Sequence, residues 1–387
     1  MKKLYNINFF RIFFTIIILY GHIIQHHIMP GFSDMEIFTA LSNHISYNFG
    51  YMCDMFFILS GFFFFFSLKK ESSFKHFVCS KIMRLLPVLT ASLIGIMILS
   101  KFIDGLKYLK YENFVALFFL DDALIANFPT NNGAAWYINV MFWGYILYYC
   151  VLNLIPAEKR NYLVGLIVFF AYSILLNKMY LYNEPQIWNE GILTIYMIRG
   201  IAGMGLGYLF GNIYNSVSEE INYTRPGKVK SLIFTAFEIT TFIYLFKFSI
   251  IKYHPYGFPF MMILFIALFW LFIYKNGYLS RLLDNKFIYD IGKYCFSIYM
   301  MQEVMFYILE RWLWHNTTFG VINYPVTNII IGLISCIVLG IITYYYIEKP
   351  GITIYKHITS EISVRPVIST QGGGGNPPVL RKDIYKK

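Results

Sequence analysis

Long apolar runs separated by short polar stretches occupy most of the chain. A helix needs about 20 mostly apolar residues to cross the hydrocarbon core of a bilayer. Runs of that kind predict ten spans, at residues 7–28, 47–67, 82–103, 134–154, 161–181, 191–213, 230–250, 257–275, 287–310 and 325–347. The alternating polar and apolar pattern of membrane barrel strands is not seen, so the prediction is an all-α bundle. The first run is too long for a signal peptide, carries Arg11 and His22, and has no small-residue cleavage site. It reads as a retained first span.

The basic residues between the runs orient the spans. Lys2, Lys3, Lys69, Lys70, Lys75, Lys81, Arg84, Lys159, Arg160 and Arg225 fall on alternate connections. The 29–46 connection contains Asp34 and Glu36 but no Lys or Arg. By the positive-inside rule both termini are then cytoplasmic. The expected architecture is a polytopic membrane helix bundle with about ten transmembrane helices. Residues 1–352 would form the membrane domain. Residues 353–387, with Gly372 to Gly375 followed by Asn376-Pro377-Pro378, read as a flexible cytoplasmic tail. The long outside connection 104–133 holds an apolar stretch at 114–120 and then Asp121, Asp122, Asn131 and Asn132. A re-entrant or interfacial helix is expected there, in a loop long enough to be functional.

Composition strengthens this picture. The chain is 57% hydrophobic and 14% charged, against roughly 25% charged residues in soluble domains. A formal charge of +11 would suit nucleic acid if it formed one stripe. It is spread between apolar runs instead, which fits orientation in a bilayer and no nucleic-acid partner. Cys53, Cys79, Cys150, Cys295 and Cys336 have no paired spacing, so they read as small buried hydrophobes without disulfide or metal roles.

Ionisable residues inside spans are costly and mark candidate sites. Arg11 and His22 are 11 residues apart, which places them about 20° from a common helical face and about 16 Å apart along the axis. One reading has Arg11 reaching the headgroups and His22 as a satisfied core residue. The other has Arg11 holding a phosphate and His22 moving a proton at the far end of an extended arm. Lys81 and Arg84 share a face at the inner end of the third span, as anchors or as a phosphate grip. Asp54 requires a partner, which a basic residue or histidine of the first span would supply. Arg199, Glu238 and Glu303 are expected to be paired structurally.

Several motifs follow one another in order: Arg11 with ten residues to His22, Asp54-Met-Phe-Phe-Ile-Leu-Ser-Gly-Phe62, and Lys81-Ile-Met-Arg84-Leu-Leu-Pro87. They continue with Trp136-Tyr137-Ile138, Gly292-Lys-Tyr-Cys-Phe-Ser-Ile-Tyr299 and Tyr346-Ile-Glu348-Lys-Pro350. In this set the sequence resembles membrane acyltransferase family 3, the acyl-CoA-dependent O-acyltransferases of bacterial surface glycans. The resemblance covers residues about 5 to 352. It implies catalysis by His22 with Arg11 and Asp54, and donor binding by Arg11, Lys81 and Arg84. Lys81 replaces the family's arginine, Gln302 stands where many members have histidine, and Met141 where many have glutamate. Acetyl-CoA is the expected acyl donor, with no permanently bound cofactor. The expected acceptor is a lipid-linked or surface glycan, seated by Asp121, Asp122, Asn132 and Trp136. The expected location is the cytoplasmic (inner) membrane, and the oligomeric state is open. An exporter or flippase of polysaccharide intermediates is the rival reading, and a scaffold a third.

Overall fold

The computed structural model describes residues 4–27, 49–68, 73–104, 112–121, 123–124, 130, 132–177, 194–220, 226–250, 257–310 and 325–364. Its helices are α1 (Ile7–His27), α2 (Met52–Leu68, entered by a 3-10 turn at Phe49–Tyr51), α3 (Phe74–Asp104) and the short α4 (Glu112–Leu117). There follow α5 (Ala135–Leu154), α6 (Ala157–Leu175), α7 (Ile195–Glu220), α8 (Lys228–Ile250) and α9 (Gly257–Tyr274). The chain then forms α10 (Tyr278–Leu282), α11 (Lys286–Gly292), α12 (Cys295–Leu309), α13 (Pro325–Thr343) and, after a π-helical turn at Tyr344–Glu348, α14 (Lys349–Val364). All ten apolar runs are mainly helical over their described parts, and among the described residues six helices are long and apolar enough to cross a membrane. The molecule is an all-α membrane bundle. Its outward faces are apolar, with Leu166, Phe169 and Phe170 on α6 and Ile233 and Ile243 on α8 all exposed. Such surface would be a liability in water and is ordinary in lipid.

The tightest helix pair is α2 against α7. Lipid gives two apolar helices no hydrophobic reason to associate, so close packing of small residues must do it. Gly203, Gly207 and Gly211 recur every fourth residue on α7. A Cβ on Gly203 would lie 2.6 Å from the Phe57 Cβ, one on Gly207 2.7 Å from the Phe62 N, and one on Gly211 2.8 Å from the Phe65 Cβ. Gly61 of α2 answers them, since a side chain there would collide with the backbone of Met204.

Three features differ from the expected spans. The run 287–310 is not one helix: it breaks at Lys293-Tyr294 between α11 and α12. Gly292 lies close against α1, and a Cβ there would stand 2.7 Å from the Asn8 Cβ. The 15-residue α12 is therefore about 22 Å long. The third span begins earlier than expected, because α3 starts at Phe74 and runs 31 residues through Pro87. The polar stretch after 352 is also helical through Val364. There Thr353 Oγ1 donates to the Lys349 carbonyl at 2.9 Å, and the Tyr355 hydroxyl lies 2.9 Å from His76 Nε2 of α3. The rest of the expected tail, 365–387, lies outside the described residues.

Polar anchors close one end of the bundle, called here the near end, where α1 begins. The Asn6 amide donates to the Phe272 carbonyl at 2.6 Å and the Ser280 carbonyl at 3.2 Å. Asp284 accepts from the Tyr5 and Asn6 backbone N–H groups and pairs with Lys275. Glu238 of α8 is paired structurally, as expected, accepting from the N–H groups of Gly277 and Ser280 at 3.2 Å each. That carboxylate satisfies donors a helix start would otherwise leave bare. Of the cysteines, Cys53, Cys295 and Cys336 are buried as expected, whereas Cys79 is half-buried and Cys150 is exposed on its helix. A thiol is apolar enough to face lipid, so helix position decides its burial.

Candidate active site

A cavity of about 460 Å³ opens among α1, α2, α3, α5, α12 and the π-helical turn. Its basic lining comes from Arg11 on α1, Lys81 and Arg84 on α3, and Lys293 at the α11–α12 break. The expected donor-binding residues are thus brought together from two helices. Lys81 and Arg84 share a face because they are three residues apart on one helix, and α3, which begins at Phe74, has made about two turns when it reaches them. The Lys81 ammonium sits 4.5 Å from the Tyr145 ring centre and 4.9 Å from that of Phe77. The Arg11 guanidinium lies 5.5 Å from the Phe63 centroid. Aromatic faces attract cations electrostatically.

Lys293 was not singled out by residue type alone. Its signal was its place directly after Gly292 in the Gly292–Tyr299 motif. The chain turns there, and Nζ comes to 5.0 Å from the Tyr294 ring centre and 5.8 Å from that of Tyr344. Glu348 also lines the cavity. It is buried, and its carboxylate accepts from the Ser297 hydroxyl at 2.6 Å, joining the last two sequence motifs. The π-helical turn that presents Glu348 is a feature often found at functional sites.

Deeper in, the lining is neutral: Cys53, Phe56 and Ser60 along one face of α2, Tyr137, Met141 and Tyr145 on α5, and Cys295 and Tyr299 on α12. The Ser60 and Tyr137 hydroxyl oxygens are 3.5 Å apart, and the rings of Tyr137 and Tyr299 meet edge-on at 5.7 Å. His22 is not among the lining residues. Its half-buried ring packs edge-on against Phe49 at 4.8 Å, about one helical turn ahead of Cys53 in the chain.

Asp54 has its partner elsewhere than expected. Its two carboxylate oxygens accept from Arg199 Nε at 3.1 Å and Nη2 at 2.8 Å, so the basic residue comes from α7 and not from the first span. Arg199 also donates to the Gly50 carbonyl at 2.8 Å and stacks 5.0 Å from the Trp136 ring centre. The expectation that Arg199 is structurally paired is met by Asp54. Two charges distant in sequence meet because the glycines of α7 let α2 come close, and no local pattern reports that.

Of the expected glycan-seating residues, Asn132 is engaged within the protein. Asn132 is fully buried: its amide donates to Ser92 Oγ at 2.8 Å and to the Met300 carbonyl at 3.0 Å, and its oxygen accepts from the Ala134 N–H at 2.9 Å. It fastens the start of α5 to α3 and α12. Asp121 is buried, and its carbonyl accepts from the Asn139 amide at 3.0 Å. Trp136 lies between Arg199 and Tyr196, the latter at 4.9 Å between ring centres. For Asn132 the physical reason is that a polar group at a helix entry inside a bundle must be satisfied by its neighbours. Asp122 and Asn131 lie outside the described residues. The expected helix in this connection is the short α4, with Phe114 and Phe118 exposed beside it. Asn132→Ala is expected to lower the thermal midpoint by several degrees, since a lost buried hydrogen bond costs about 1–3 kcal/mol. Thermal unfolding in detergent reads this, and an unchanged midpoint would refute the fastening role.

The described residues form an all-α membrane bundle with a cavity that carries four cations at one end and neutral, largely aromatic side chains deeper in. The family model described as an acyltransferase domain, Acyl_transf_3, matches residues 4–345, and the chain belongs to that family of membrane acyltransferases. No curated protein and no solved structure matches the chain significantly.

Proposed function

We propose that this membrane acyltransferase moves an acetyl group from acetyl-CoA to a sugar hydroxyl of a lipid-linked or surface glycan in the cytoplasmic membrane, with ten spans and both termini in the cytoplasm. The observation that carries the reading is the cavity, with four cations at the near end and a neutral interior. Arg11, Lys81, Arg84 and Lys293 hold the phosphates of the donor through charge-assisted hydrogen bonds. Lys81 supplies charge without the fork of an arginine. The pantetheine arm lies along the neutral face of α2 towards Cys53 and Tyr137. His22 takes the acceptor proton, or carries the acyl group transiently. Asp54 serves as a positioning residue, locked with Arg199.

The acceptor's hydroxyl attacks the thioester carbonyl, the C–S bond breaks, and the thiolate leaves with the proton that His22 removed. Arg84→Ala is expected to raise KM for acetyl-CoA by about tenfold or more, as loss of a charged hydrogen bond of about 1.5–3 kcal/mol implies. KM for S-acetyl-pantetheine, which lacks the nucleotide phosphates, should stay near wild type. Thiol release by purified protein in proteoliposomes measures both. Equal effects on the two donors would remove the phosphate assignment.

A further inference from the structure

Gln302 is fully buried, and neither its amide nitrogen nor its amide oxygen has a hydrogen-bond partner among the described residues. Leaving a carboxamide unpaired away from water costs several kcal/mol on most transfer scales. A residue of this kind calls for a partner beyond the described residues.

Its position indicates where that partner sits. On α12, Cys295, Tyr299 and Gln302 are spaced four and three residues apart, so they share a face within about 60°. The first two line the cavity, and Gln302 continues that face about 4.5 Å beyond Tyr299 along the axis. On α1, Thr15 lies beside Cys295. His22 follows Thr15 by seven residues, as Gln302 follows Cys295, and seven residues return a helix to within about 20° of the same direction after about 10.5 Å. Both helices lead away from the near end, where Asn8 meets Gly292. Gln302 is therefore at the level of His22 on the facing helix, past the inner end of the cavity.

We propose that Gln302 is a catalytic residue: its Nε2–H donates to the thioester carbonyl oxygen and to the oxyanion formed there. This rests on the acyl-CoA reading above. As the acceptor oxygen attacks and His22 takes its proton, the carbonyl π electrons move onto oxygen, and Gln302 stabilises that charge. When the carbonyl re-forms, the C–S bond breaks and the thiolate takes the proton from His22. The products are an ester and a free thiol, with no other reactant. A neutral amide suits this place because it brings no charge into the bilayer, while its dipole is already fixed before charge develops.

The test uses full-length protein in proteoliposomes with acetyl-CoA and a bacterial lipid-linked oligosaccharide fraction. Gln302→Leu, similar in volume, is expected to lower kcat about 100-fold, the scale of losing one oxyanion donor. KM for acetyl-CoA should change by no more than about two-fold. The thermal midpoint should stay level or rise, because an unsatisfied buried amide is gone. Gln302→His, which restores an N–H at that place, should recover much of the rate, and Gln302→Met replaces the Leu variant if that one does not fold. Unchanged kcat in the Leu or Met variant, with wild type active, overturns the assignment of Gln302 alone. A midpoint that falls together with the rate, without recovery by His, shows a structural role and overturns it too. Wild type that never consumes acetyl-CoA overturns the acyl-CoA reading and the Gln302 role with it.

Discussion

Asp54→Ala and Arg199→Ala are each expected to leave little folded protein, while the double replacement Asp54→Leu with Arg199→Met is expected to be more stable than either. The ion pair is almost wholly enclosed, with side-chain exposures of 5% for Arg199 and 2% for Asp54. Removing one member leaves the other as an unpaired charge in a low-dielectric interior, a loss of about 3–5 kcal/mol. That is a large share of the roughly 5–15 kcal/mol by which proteins are stable. Removing both takes away the attraction and the desolvation cost together, so the double variant loses mainly packing. The Arg199 variant also releases the Gly50 carbonyl and the Trp136 ring, so it should be the worse of the singles. Recovery of monodisperse protein and thermal midpoints in detergent give the three values. If the singles match wild type, or if the double variant loses the sum of both, the pair does not hold α2 to α7.

The second large effect concerns His22. His22→Ala is expected to reduce acetyl transfer by about 10²- to 10⁴-fold, the contribution general acid–base groups usually make. Arg11→Ala should act differently, mainly raising KM for acetyl-CoA, because Arg11 lines the cavity while His22 lies beyond it against Phe49. The two residues stand about 16 Å apart on one face of α1, long enough for a donor to be gripped at one end and react at the other. Equal transfer rates for His22→Ala and wild type would remove the catalytic role. A rise in KM with unchanged kcat would instead make His22 part of the binding path.

Much of the molecule follows from local physics that a linear sequence carries. Apolar runs of bilayer length become helices because only helices satisfy the backbone without water. Arg11 and His22, or Lys81 and Arg84, fall on one face because the helical repeat is fixed. The ordered motifs gather Lys81, Arg84, Tyr299 and Glu348, and all of them line one cavity. The break at Lys293 was not visible in this way. It falls where Gly292 meets Asn8 of another helix, and the apolar pattern runs across it without a signal.

What the sequence determined alone was therefore the solvent, the helices and the faces on which charges lie, since each depends on residues within a few turns. Only the tertiary structure decided which charge meets which. Asp54 found Arg199, Asn132 was consumed in fastening α5, and Lys293 joined the cation cluster. The meeting of Asp54 with Arg199 depends on the distance of approach between helices, set here by Gly203 and Gly207, which share α7 with Arg199 and let α2 with Asp54 come close. Ionic and amide groups in a bilayer must find partners within hydrogen-bond reach, and reach is a property of packing that spacing along one chain does not contain.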